Sequence, residues 1–137
     1  MRGCAPRSAP CRPERSTATR ISSTTEGVDA PGFKVIRRLL AERDDCWTKI
    51  SSFYRLSDLG PPRYEDMRPF VKLLLSERPD RCVWGTNWPH PGMTRFMPND
   101  ADLLDLLESW LPDESVRVPL FAANAARLYR MDELEAH

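Results

Sequence analysis

The segment from Trp84 to Pro91 (WGTNWPHP) contains the residue types that most directly suggest chemistry. Asn87 and His90 follow a short apolar run, and the prolines on either side of His90 restrict the backbone. An imidazole can donate or accept a proton near neutral pH, and an amide can orient a water molecule or a substrate. A lone histidine in a loop is equally compatible with a structural role. We treat Asn87 and His90 as candidate catalytic residues.

A second candidate pair, Tyr54 and Arg55, lies at the end of a β-branched and aromatic run that begins at Cys46. A guanidinium group suits a carboxylate or phosphate ligand because its donors form a planar fork. We therefore expect Arg55 and Tyr54 to bind substrate. The alternative is that Arg55 forms an ion pair with an acid of the following loop, such as Asp58.

These four residues need a scaffold that brings them together, and the order of predicted elements supplies one. Cys46–Tyr54 and Cys82–Thr86 have strand character, and a helix of about Glu65–Glu77 lies between them. A strand–helix–strand unit has parallel strands and is nearly always right-handed. Since parallel strands end at the same edge of a sheet, Tyr54 and Arg55 are expected beside Asn87 and His90.

Three more helices are indicated by caps and apolar spacing. A first helix is expected from a cap at Asp29 to about Arg43, with Pro31 in its first turn. Asn99 is expected to cap a helix with an apolar stripe that ends at Trp110. The sequence further predicts that Asn124 caps a last short helix, after an interruption at Pro119.

Length and charge divide the chain into unequal parts. It has 137 residues, 20 basic and 20 acidic, but residues 1–26 carry five arginines against two glutamates. This Arg/Pro/Ser/Thr-rich stretch has too few apolar side chains to form a core, so we predict a disordered leader over residues 1–27. Residues 28–131 are predicted to form one domain, and 132–137 a tail. No apolar run is long enough for a transmembrane helix.

Cysteine and histidine usage argues against a metal site or a disulfide framework. The four cysteines form no CxxC pair, and the histidines number two. We expect Cys46 and Cys82 to be buried free thiols of a cytoplasmic protein, and we predict no metal or cofactor. Five arginines without an interleaved aromatic residue are a weak signal for nucleic acid, so neither nucleic acid nor a membrane is an expected partner.

Three motifs resemble those of the amidohydrolase-related family of (β/α)8-barrel hydrolases, in the branch similar to 2-pyrone-4,6-dicarboxylate lactonase. CVWGTNWPHP is similar to the family's last-strand motif, which typically reads WGTDWPHP. WTKISSFYRLSD resembles strand seven, often WVKLSGPYRLS, and NAARLYRM resembles the closing NPARLYGF. The similarity runs from Val28 to Met131. Because a complete barrel needs about 250 residues, it implies an α/β fold that is the C-terminal fragment of a TIM barrel, with two parallel strands behind the leader.

The resemblance implies a hydrolase acting on a lactone or a similar carboxylated ring compound at the barrel mouth. It makes Arg55 the clamp for the substrate carboxylate and His90 a residue at the rim. The aspartate of the family motif is Asn87 here, and an amide cannot serve as a general base. The family's HxH pair and strand-five histidine have no counterpart, so the fragment is expected to be inactive.

The competing interpretation is a non-catalytic interaction protein that docks on another portion of a barrel. Its docking surface would be the Trp-rich strand edges. The barrel-fragment interpretation has its own consequence, because two parallel strands expose open edges and the surfaces meant for neighbouring helices stay in contact with water. Trp47, Trp84, Phe70 and the stripe from Leu103 to Trp110 would then form an exposed patch, so self-association is expected.

Overall fold

The computed structural model describes residues 24–131, which form an α/β unit with two strands and five α-helices. Most of the predicted leader and the predicted tail lie outside this range. Thr24–Gly27, the end of the predicted leader, lie in a 3-10 segment, Thr24–Asp29, that is kinked at Gly27, where φ is 59°. The strands are β1 (Thr48–Ile50) and β2 (Cys82–Trp84); the α-helices are α1 (Pro31–Glu42), α2 (Arg68–Glu77), α3 (Asp100–Trp110), α4 (Glu114–Val118) and α5 (Asn124–Tyr129).

The two strands are parallel, as predicted, and are joined by a crossover that contains α2. Thr48 pairs with Cys82 and Ile50 with Trp84. Both strands are shorter than expected. The first ends because Ser52 has a left-handed backbone with φ of 60° and leads into a 3-10 turn, Phe53–Arg55.

The buried side chains form one cluster that the helices and both strands share. Phe33 of α1 meets Phe70 of α2 edge to face at 4.8 Å, and Phe53 lies 5.0 Å from Trp110 between ring centroids. The expectation that Phe70 and the α3 stripe form an exposed patch is wrong, because these residues pack into that cluster: Phe70, Leu103, Leu107 and Trp110.

The other two members of that expected patch are half-buried. Trp84 packs edge to face on Phe121, with ring centroids 5.3 Å apart. Trp47 lies beneath the guanidinium groups of Arg81 and Arg127, which are 5.1 and 5.2 Å from its ring. Two cations of the same chain therefore cover this indole.

Two of the three predicted helix caps differ from the structure. Asn99 does cap α3, since its side chain accepts the Ala101 amide at 2.8 Å. Ala30 rather than Asp29 precedes α1, and the Asp29 carboxylate lies 3.1 Å from the Lys34 ammonium group instead. Pro31 is the first residue of α1, as expected.

The predicted cap at Asn124 is wrong because the chain is already helical there. α4 and α5 are joined by a π-helical turn, Pro119–Ala123, with helical backbone angles throughout. The buried Asn124 side chain donates to the carbonyl oxygens of Pro79 and Cys82, both at 2.7 Å. Within residues 24–131 no helix is long and apolar enough to cross a membrane.

Candidate functional site

Tyr54, Asn87 and His90 form a hydrogen-bonded group at the ends of the two strands. The Tyr54 hydroxyl lies 3.0 Å from His90 Nδ1, and the Asn87 amide donates to the same hydroxyl at 3.0 Å. These partners are 36 and 33 residues apart in sequence. The parallel crossover therefore brings three of the four predicted site residues together, although their roles stay predictions.

The turn after β2 directs His90 inward. Asn87 and His90 both adopt left-handed backbone conformations, with φ of 72° and 53°, and asparagine and histidine tolerate this region better than most residues. The His90 amide donates to the Asn87 carbonyl at 2.8 Å and closes the turn. As a result the His90 side chain is 2 % exposed, whereas Trp88 between them is 74 % exposed.

Asp100 extends the group on the far side of the imidazole. Its Oδ1 lies 3.0 Å from His90 Nε2, so each ring nitrogen of His90 has a partner. Asp100 is the first residue of α3 and is fixed there by the Asn99 cap. Asp100 is not among the predicted site residues. The cap at Asn99 placed Asp100 in the first helical turn, but no spacing linked that turn to the imidazole.

Arg55 makes no side-chain hydrogen bond to Tyr54, Asn87 or His90, so its expected role beside them stays a prediction. It is exposed and lines an open groove of about 630 Å³ along β1. The groove is bounded mainly by apolar side chains of α1, β1 and α2, among them Ile36, Ile50 and Phe70. Tyr54 and Arg55 are consecutive in a 3-10 turn, and in such a turn neighbouring side chains point about 120° apart.

Lys49 is a cation beside the end of β2 that is not among the predicted site residues. Its side chain lies across Gly85, just after β2: a β-carbon at Gly85 would be 2.9 Å from Lys49 Cε and 3.4 Å from Nζ. The absence of a side chain at Gly85 thus makes room for the lysine stem. The alternation of β1 directs Lys49 away from the face on which Ile50 is buried.

The cysteine at the start of β2 is no nucleophile in this fold. Cys82 is completely buried, and its thiol donates to the Arg78 carbonyl at 3.3 Å. Burial raises the pKa of Cys82 to about 12, so the thiolate form is scarce at neutral pH. Cys82 is a buried free thiol, as predicted, whereas Cys46 is half-buried.

Residues 24–131 contain no group of three His, Cys, Asp or Glu side chains close enough to share a metal ion. The pair formed by His90 and Asp100 is held by a direct hydrogen bond between the two side chains.

A sequence model of the amidohydrolase family matches residues 17–131. The chain belongs to this family. Its fold is accordingly that of part of an amidohydrolase-type (β/α)8 barrel, with two of the parallel strands and their helices.

Curated relatives of this amidohydrolase chain include enzymes that act on lactones. It is 35 % identical over 117 residues to a 2-pyrone-4,6-dicarboxylate hydrolase of Comamonas testosteroni. It is 40 % identical over 108 residues to a 4-sulfomuconolactone hydrolase of Rhizobium radiobacter, and 34 % identical over 110 residues to a D-galactarolactone isomerase of Agrobacterium fabrum. The matches cover 80 %, 77 % and 79 % of this chain, and 38 %, 36 % and 37 % of these relatives.

Solved structures give the same result for the fold. A crystal structure of an Agrobacterium tumefaciens protein without ligand matches with a TM-score of 0.63 and 34 % identity, over 75 % of this chain and 36 % of that one. A probable 2-pyrone-4,6-dicarboxylic acid hydrolase of Acinetobacter baumannii, with citric acid bound, matches with a TM-score of 0.61 and 18 % identity. That match covers 78 % of this chain and 39 % of the other, and supports the fold alone.

Proposed function

We propose that this amidohydrolase chain supplies part of the active-site mouth of a lactone hydrolase whose substrate carries a carboxylate or another anionic group. The supporting observation is the hydrogen-bonded group of Tyr54, Asn87 and His90 at the carboxyl ends of two parallel strands. Ligands of α/β barrels bind at this end of the strands. Relatives that hydrolyse 2-pyrone-4,6-dicarboxylate and 4-sulfomuconolactone support an anionic lactone as the substrate class.

In this proposal the reaction is attack of water on the ester carbonyl of the lactone. Asn87 orients the water or the substrate and cannot take the proton, because an amide has no basic atom. His90 is buried and both of its ring nitrogens are engaged. We therefore place the general base outside these three residues, and we propose that the chain alone does not turn over substrate.

Arg55 is the proposed clamp for the anionic group. It is the residue after Tyr54, it is exposed, and it lines the groove along β1. A charge-assisted hydrogen bond from arginine to a carboxylate contributes about 1.5–3 kcal/mol. Removal of this side chain should therefore weaken binding by about tenfold to a hundredfold.

Calorimetric titration of the full chain with 2-pyrone-4,6-dicarboxylate tests the clamp. Arg55→Ala should weaken binding by that factor, and Arg55→Lys should retain part of it. Arg63→Ala is the matched control, since Arg63 is also exposed and pairs with Glu65 at 3.3 Å. Equal affinity of Arg55→Ala and the unaltered chain would contradict the clamp. Lactone hydrolysis by the chain above the uncatalysed rate would contradict the proposal that it does not turn over substrate alone.

A second candidate function is docking on another portion of a barrel, favoured by the edge of the sheet. Among residues 24–131, β1 pairs with β2 alone, so its outer edge is available to a further strand. The groove of about 630 Å³ lies along β1, between apolar side chains of α1 and α2. The chain spans 36–38 % of its curated relatives, so we propose as occupant a polypeptide that carries the remaining strands of an amidohydrolase barrel.

The cytoplasm remains the proposed compartment. Its support is chemical: Cys46 and Cys82 are free thiols in the folded domain, and thiols persist in reducing compartments.

A further inference from the structure

The side chains of Asn87, Tyr54, His90 and Asp100 form one linear chain of three hydrogen bonds, each 3.0 Å long. This series of hydrogen bonds runs from the loop after β2 to the first turn of α3. Its central imidazole is buried, while Asp100 at its end is 44 % exposed. The direction of each hydrogen bond decides where the protons are, and the chemistry of the two end groups fixes that direction.

Asp100 determines the direction of its hydrogen bond with His90. An ionised carboxylate can only accept, so the hydrogen bond to His90 requires a proton on Nε2. Tyr54 cannot impose such a requirement, because a hydroxyl group can donate or accept. The tautomer of a histidine is set by the partners of its two nitrogens. Asp100 is therefore a positioning residue that acts through His90.

Asn87 determines the direction of the hydrogen bond between Tyr54 and His90. Its Nδ2 atom donates to the Tyr54 oxygen, which leaves the Tyr54 proton for His90 Nδ1. In this arrangement every donor of the chain has an acceptor and the imidazole is neutral. A protonated ring would instead donate from Nδ1 to the Tyr54 oxygen, and the half-buried hydroxyl proton would lose its acceptor within this group.

We propose that Asn87 and Asp100 together hold His90 as a neutral imidazole with its proton on Nε2, and that residue 87 sets the number of protons on His90 through Tyr54. Asn87→Asp is the informative change. A carboxylate at residue 87 would accept from the Tyr54 hydroxyl, whose single proton would then face two acceptors. All three hydrogen bonds can be kept only if His90 Nδ1 takes up a proton, so the variant holds an imidazolium.

This arrangement leaves one acceptor, Asn87 Oδ1, as the atom of that side chain free for a ligand. His90 then holds the Tyr54 side chain in place through a hydrogen bond and transfers no proton. This consequence for catalysis rests on the proposed function, whereas the positions of the protons do not.

Nitrogen-15 NMR of the full chain at neutral pH tests the proposal without any assay of activity. The chain has two histidines, so His137→Gln leaves a single imidazole to observe. His90 should show a protonated Nε2 and an unprotonated Nδ1. In Asn87→Asp the Nδ1 signal should move to that of a protonated nitrogen, and in Asp100→Ala the two neutral tautomers should mix. Asp100→Asn retains an acceptor and should keep the original tautomer.

The double variant Tyr54→Phe/Asn87→Asp separates the relay from a general effect of charge. With the hydroxyl removed, Asn87→Asp should no longer add a proton to His90. Any one of three results would overturn the proposal. They are a proton gained by His90 in the double variant, a protonated Nδ1 in the unaltered protein, and an Asn87→Asp spectrum identical to the original. Circular dichroism confirms that each variant is folded. A chain with the expected tautomer but no affinity for lactones would contradict the proposed function alone.

Discussion

The Asn124 amide of α5 joins two backbone carbonyls that flank the start of β2, those of Pro79 and Cys82. Both hydrogen bonds measure 2.7 Å, and the side chain is 4 % exposed. One planar amide therefore uses both of its N–H groups to hold the last helix against the strand that leads to Asn87 and His90. Asn124 itself makes no hydrogen bond to Tyr54, Asn87 or His90.

Asn124→Ala is expected to lower the free energy of unfolding by about 2–4 kcal/mol, because two carbonyls lose their donors inside the core. Asn124→Asp should be at least as harmful, since a carboxylate offers those carbonyls oxygen atoms in place of N–H groups. Urea denaturation followed by circular dichroism measures the change. Asn99→Ala, which removes the exposed α3 cap, is the matched control and should cost about 1 kcal/mol. Equal losses at both positions would show that the buried amide has no special role.

Alkaline conditions should destabilise the fold through Cys82. Burial raises the pKa of its thiol from 9.0 to about 12. Above pH 9 the unfolded chain loses this proton while the folded chain retains it, so stability falls as pH rises toward 12. The slope from one such group is at most about 1.4 kcal/mol per pH unit. Cys82→Ala should show a shallower decline than the unaltered chain in denaturation series at several pH values; parallel curves would exclude this origin.

Acid should loosen the loop after the 3-10 turn through Asp66. Burial alone would raise its pKa, but hydrogen bonds from the Ser57 hydroxyl and the amides of Asp58 and Leu59 hold the pKa of Asp66 below its usual range. A lowered pKa stabilises the fold at neutral pH, and this contribution is lost as pH falls below about 4. Asp66→Asn should cost about 1–2 kcal/mol at neutral pH and progressively less in acid. A cost that stays constant down to about pH 2 would contradict the assignment.

Docking at the outer edge of β1 can be blocked by one substitution. The Ile50 carbonyl accepts the Gly85 amide on the β2 side, so the backbone groups of Ser51 point to the open edge. Ser51→Pro removes a donor from that edge and should abolish complex formation, while Ser51→Ala should not. The binding partner is the part of the Rhizobium radiobacter 4-sulfomuconolactone hydrolase outside the matched region, and size-exclusion chromatography reports the complex.

Three results of that experiment would contradict the proposed partner. The first is that no complex forms with the unaltered chain. The second is a complex that Ser51→Pro leaves intact. The third is self-association of the chain alone that Ser51→Pro abolishes, because it would assign the edge to a second copy. Circular dichroism of Ser51→Pro checks that the variant is folded.

Features that depend on local chemistry or on topology were predictable from the sequence. The Asn99 cap needs a short polar side chain before an apolar stripe, and both are visible in sequence. The contact between Tyr54 and Asn87 follows from the parallel crossover, which sends both strand ends to one edge. The same crossover predicts Arg55 at this edge, and its place in the site stays a prediction; Arg55 follows Tyr54 in the 3-10 turn Phe53–Arg55, where consecutive side chains point in different directions.

Features that depend on distant partners were not predictable. Asn124 has the sequence context of a helix cap, and its two acceptors at Pro79 and Cys82 are over 40 residues away. The hydrogen bond from His90 to Asp100 follows no spacing rule, since it depends on how the turn at Asn87 and the start of α3 meet. Strand length was overestimated because β-branched residues indicate extended backbone but do not reveal the left-handed Ser52.

The π-helical turn at Pro119–Ala123 determines the direction in which each side chain of α5 points around the helix axis. A π turn holds one residue more than an α turn, and each residue advances a helix by about 100°. Removing one residue from this turn would give a regular helix, but Asn124 would face a different direction and miss both carbonyls. The length of this segment is therefore constrained more tightly than its composition, and a single-residue deletion there should be less tolerated than most substitutions.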